Sequence, residues 1–143
     1  MSQEDKFNFV KADPELMQKQ MDKYDDMAAK IKTWAITLFA ALLGWSFQIE
    51  RKEVLLLSTF ILLVFWALDA VNKNFRQDYK KRRDEIAKAF QAFFQTASWP
   101  DDFIAPDLPV HRSIEAFKNF LKPHTSLFYV PLIVVALIIF FVV

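Results

Sequence analysis

The sequence predicts an all-α integral membrane protein with three transmembrane helices, the first two forming a long antiparallel hairpin that extends into the cytosol. Three observations lead there. The apolar residues, 54% of the 143, gather in three blocks rather than recurring periodically through the chain. Charged residues fill the gaps between those blocks. Two of the blocks are separated only by Glu50-Arg51-Lys52-Glu53, too short a link for anything but an antiparallel pair.

The first block runs from Ile31 to Ile49 and is interrupted by Lys32 near one end. The second, Val54 to Val71, carries a single ionisable residue, Asp69. The third, Leu127 to Val143, contains Pro131. Each approaches the roughly 17–25 residues that a helix needs to cross a bilayer core. Proline in the first turns predicts a third helix that begins near Ser126 with a bend, or closer to Pro131.

Before the first block, Asp13-Pro14 reads as an N-cap followed by proline at the first helical position. From there Leu16, Met17, Gln20, Met21, Tyr24, Met27, Ala28 and Ile31 recur at helical spacing into the span. Beyond the second block Phe75, Tyr79, Arg82, Ile86, Phe90, Phe93 and Ala97 do the same, up to Trp99-Pro100. If the hairpin turns near Arg51 and Lys52, residues at equal height have numbers summing to about 103. That register sets Tyr24 against Tyr79, Ala28 against Phe75, Met17 against Ile86, and Lys32 level with the turn Asp69–Asn72. Phe7, Phe9 and Val10 are then placed to fold back over Phe93 and Phe94.

The organisation expected is a segment over 1–12 and a helical hairpin over 13–99 with spans near 31–49 and 54–71. A loop with a short helix, Ser113 to Leu121, follows over 100–125, and the C-terminal transmembrane helix occupies 126–143. The acidic start, with no early apolar run, reads as an uncleaved N-terminus. Lys and Arg are heavier before the first span and after the second than in the turn between them. An N-terminus inside and a C-terminus outside follow from that asymmetry. Trp34 and Trp66 fall near the inner interface and Trp45 near the outer one.

Little in the sequence points to catalysis, and no enzyme activity is expected. Cysteine is absent, which excludes disulfides and thiolate chemistry. One glycine cannot build a phosphate loop. His111 and His124 lack ligand partners at metal-binding spacing. The pairs Asp25-Asp26, Asp84-Glu85 and Asp101-Asp102 are neighbours in sequence, which on a helix diverge by about 100° and form no catalytic dyad. Neither a cofactor nor a catalytic or metal site is expected, and a net charge of +1 gives no reason to expect nucleic acid.

Three features remain. Asp69 is a carboxylate within a span, expensive there, with Lys32 opposite and Lys73 four residues on. Lys32 and Asp69 therefore form either a structural ion pair or a gating one. Thr33, Thr37, Ala41 and Gly44, with Ala40, make a stripe of small residues that allows close helix approach, either within one chain or between protomers. Lys80, Lys81, Arg82 and Arg83 form a basic patch beyond the membrane. It suits anionic lipid or a nucleotide, or serves as a solvated face among Asp78, Asp84 and Glu85.

The run Ile31-Lys32-Thr33-Trp34-Ala35-Ile36-Thr37-Leu38, with Phe65-Trp66-Ala67-Leu68-Asp69-Ala70 and the Phe128-Tyr129 entry to the last span, resembles a known group. These are small bacterial membrane proteins encoded near nucleotide-signalling or TIR-type genes, and the transmembrane effector domains grouped as SLATT. The resemblance covers most of residues 15–90; the third span departs from the two-span pattern. It implies an antiviral defence effector of the bacterial inner membrane that forms homo-oligomers and permeabilises or depolarises the bilayer. The partners implied are the lipid bilayer, further copies of the chain and a cytosolic defence or signalling protein. A non-conducting anchor recruiting a cytosolic protein through the hairpin is the alternative. A proton-coupled transporter ranks third, because the ionisable pair lies near an interface rather than the midplane.

Overall fold

The computed structural model describes residues 3–101, 103 and 121–142. The described residues form three helices and no strand: α1, Gln3–Gln48; α2, Glu53–Thr96; and α3, Pro123–Val142. Each contains a stretch long and apolar enough to cross a membrane. The protein is an all-α membrane protein with three such helices. The expected short helix over Ser113 to Leu121 lies almost wholly outside the described residues, as does His111.

Two compact units divide the chain. One takes residues 1–25 with 75–111, the other 26–74 with 112–143.

In the first unit, α1 and α2 pack through Met17 and Ile86, both buried, with Tyr79, Phe90, Trp99 and Phe103 around them. The rings of Tyr24 and Tyr79 stack with centroids 5.7 Å apart, and Phe75 lies 5.8 Å from Tyr24. Asp25 pairs with Arg76. The helix does not start at Asp13 as its capping signature predicts; it begins ten residues earlier and passes through Pro14. Proline inside a helix removes one donor to the carbonyl four residues back. Two tertiary contacts oppose that loss. Asp13 is buried, and its Oδ2 lies 3.8 Å from Arg82 instead of capping a helix end. Phe7, carried on the added turns, sits edge-on to Phe90 at 6.0 Å and 6.1 Å from Phe93. It covers those rings as part of a continuing helix rather than by folding back. The side chains of Phe9 and Val10 lie outside the description. α2 stops where Ala97 takes a left-handed φ of 57°, its amide donating to the Phe93 carbonyl.

In the second unit, all three helices contribute to one core. Ala35 and Phe39 come from α1, Leu62 and Trp66 from α2, Tyr129 and Ala136 from α3. Ala35 and Ala136, both fully buried, bring the helices close within the chain. Large apolar side chains point away from that core, Phe60 at 62% and Phe141 at 80% exposure, which only lipid or another apolar surface covers favourably. Between α1 and α2 the turn closes its own backbone. Glu50 adopts φ 55°, and the Arg51 amide reaches back to the Ser46 carbonyl. α3 starts at Pro123, three residues before the expected Ser126. Proline is favoured at a first helical position, where its missing donor costs nothing. Pro131 is accommodated inside the helix.

Candidate functional site

The site is a charge pair in the second unit. Asp69, two residues before the end of the α2 apolar block, has a side chain 5% exposed; Lys32 Nζ lies 3.8 Å from its Oδ2. The two helices run antiparallel here, so a residue early in one block meets a residue late in the other. Lys73, one turn further along α2, adds a second positive charge within electrostatic reach of the carboxylate. A carboxylate withdrawn from water needs such partners, because an unpaired one costs several kcal/mol.

The third helix encloses the pair. Phe128 lies under the Lys32 ammonium, 5.8 Å from ring centroid to Nζ. Tyr129 is fully buried and stacks on Trp66 at 6.1 Å with an interplanar angle of 11°. Trp66 is therefore a core residue held by Tyr129, not an outward-facing interface tryptophan, whereas Trp34 and Trp45 are both exposed. Thr125 lies one turn before Tyr129 and is buried too. The Tyr129 hydroxyl and the Thr125 Oγ1 have no hydrogen-bond partner among the described residues. Neither hydroxyl stands out in the sequence as a member of the site. The signal that would have found them is their spacing of four, with Tyr129 the one hydroxyl beyond the polar first turn of an apolar helix.

Those two orphaned oxygens make a clear expectation. Tyr129→Phe keeps the stacked ring and removes a buried hydroxyl without a partner. It should leave stability unchanged or raise it by about 1 kcal/mol. Tyr129→Ala, which empties the space against Trp66, should cost about 3–5 kcal/mol. Thermal unfolding in one detergent, followed by circular dichroism, compares the two; a marked loss in the Phe variant would reveal a bridging water or ligand.

Among the described residues nothing covers the small-residue stripe. Thr33, Thr37, Ala41 and Gly44 are all exposed, and a Cβ added at Gly44 would meet nothing within 4 Å. The Thr33 and Thr37 hydroxyls donate to the carbonyls of Ala29 and Thr33, so the helix satisfies them itself.

The four basic residues do not make one patch. Successive side chains on a helix diverge by about 100°, and Arg82 turns inward. It is buried between Asp13 and Glu85, at 3.8 and 3.5 Å, with Phe103 5.3 Å from its guanidinium carbon. Arg83 reaches Gln18 and Asp84, while Lys80 and Lys81 are exposed. No cluster of potential metal ligands occurs among the described residues.

Compared with family models, curated proteins and solved structures, the chain matches none of them.

Proposed function

We propose that this chain is a membrane effector that assembles from several copies through the small-residue face of α1, and that the assembly breaches the bilayer. The observation that carries the reading is the uncovered face at Thr33, Thr37, Ala41 and Gly44. Small side chains gain little from lipid but allow two helix backbones to approach closely, which favours association in a bilayer. Close approach already falls to Ala35 and Ala136, and this second face stays exposed among the described residues. The space among the three helices is filled by Phe39, Leu62, Trp66 and Tyr129, so a water path would have to run between protomers. An antiviral role at the bacterial inner membrane agrees with the resemblance to SLATT-type effectors.

Gly44→Leu tests the assembly. The substitution inserts about four heavy atoms where backbones would meet and should weaken association by about 1–3 kcal/mol, as overpacking does. Among the described residues nothing lies within 4 Å of a Cβ there, so the fold should persist. Native-size analysis in mild detergent and in nanodiscs should show a discrete oligomer for the wild type and smaller species for the variant. Dye leakage from loaded vesicles should fall in parallel. A wild type that is monomeric in every such medium would remove the assembly and favour the anchor.

The same reading places the N-terminus in the cytosol and the C-terminus outside, from the excess of Lys and Arg flanking the hairpin at the end away from Arg51 and Lys52. Reporter fusions at the two termini should give opposite signals. Both termini on one side would leave only two spans crossing.

A further inference from the structure

We propose that the turn between α1 and α2 is a binding seat for a phospholipid headgroup carrying both a phosphate and a primary ammonium. A cavity of about 520 Å³ opens there, lined by Glu50, Arg51, Lys52 and Glu53 together with Leu55 from α2 and Ile139 from α3. That volume falls in the range of about 300–1,000 Å³ typical of small-molecule sites.

The charges explain what the cavity takes. Among the described residues none of the four charged side chains forms an ion pair, although carboxylates and cations line the same space. Lys52 instead holds its ammonium 5.5 Å from the centroid of Phe140, on α3. Two cations and two carboxylates leave the seat with no net charge, so it does not select for anionic lipid as a purely basic cluster would. A zwitterion satisfies both signs together. Arg51 and Lys52 suit a phosphate, the guanidinium through paired donors. Glu50 and Glu53 suit an ammonium that donates hydrogen bonds, which a quaternary one cannot do. The apolar wall of Leu55 and Ile139 continues from that polar mouth, as the acyl chains continue from a headgroup. A turn linking two spans lies at the depth of the headgroups, so the seat meets its ligand without a further partner.

Native mass spectrometry of the full-length, delipidated protein tests this. Phosphatidylethanolamine, phosphatidylglycerol and phosphatidylcholine are added back separately at equal concentration. Phosphatidylethanolamine should be retained at least about fivefold more than either of the others, a preference of about 1 kcal/mol. Arg51→Gln and Glu53→Gln should each erase most of that preference. Ile139→Trp, which fills the cavity from α3 without changing charge, should reduce retention while circular dichroism remains that of the wild type. Phosphatidylglycerol bound as well as phosphatidylethanolamine would overturn the proposal, leaving only attraction to the basic pair. So would a preference unaltered by all three substitutions. The outcome is independent of the oligomer assignment, because the seat is complete within one chain.

Discussion

Replacing Asp69 by Lys is expected to destabilise the membrane-spanning unit by about 2–4 kcal/mol. The change sets two ammonium groups where an ion pair now stands, with the α2 partner almost fully withdrawn from solvent. Breaking a buried pair costs about 3–5 kcal/mol. The lower figure reflects Lys32, 36% exposed and able to shed part of the repulsion into water. Lys32→Asp combined with Asp69→Lys should recover part of the loss and not all of it. The reversed pair leaves a new Lys at position 69 beside Lys73, which now supports the carboxylate. Thermal unfolding and monodispersity in detergent measure Asp69→Lys, Lys32→Asp alone and the double variant. If the double variant is no better than the singles, the two residues do not act as a pair, and separate roles for each follow.

Ile86→Ala is expected to cost the other unit about 2–5 kcal/mol, the usual range for emptying a fully buried aliphatic site. Ile86 is completely buried against Met17, and aromatic rings surround the contact, so little can collapse into the space left behind. Hydrogen exchange should locate the effect. Amides over 75–96 should lose protection, whereas those over 54–70, packed by a different core, should keep theirs. Uniform loss across α2 would mean that the two cores unfold together.

The parts of this fold that depend on periodicity were legible in the sequence. Helical rise is the same in both helices of an antiparallel pair, so one turn position sets the register, and it brings Tyr24 to Tyr79 and Met17 to Ile86. Lys32 and Asp69 meet for the same reason. Helix ends were read less well, because local signals compete with tertiary contacts. Asp13-Pro14 has the residues of a helix start, yet the ion pair to Arg82 and the rings above it favour a continuing helix. The inward turn of Arg82 was half visible. It belongs to the apolar stripe of α2 and also to a run of basic residues, and only the buried Asp13 opposite separates the two readings. What α3 brings to the charge pair could not be read, since no short loop fixes its height against α1 and α2. The enclosure of the pair by Phe128 and Tyr129 followed only from the packed structure.

The closed turn between α1 and α2 bears on how the protein enters its membrane. The Arg51 carbonyl accepts from both the Ser46 hydroxyl and the Val54 amide, and the Lys52 carbonyl accepts from the Leu55 amide. These peptide groups at the tip are satisfied before any neighbour arrives, so little backbone desolvation remains to oppose transfer into lipid. Contacts between the two spans shorten in sequence towards the turn, where Val54 already meets Arg51, so the pair can close from that end. Biosynthesis can therefore deliver the first two spans as one folded insertion unit. The last span, made once that unit is in place, docks Tyr129 against a surface already formed.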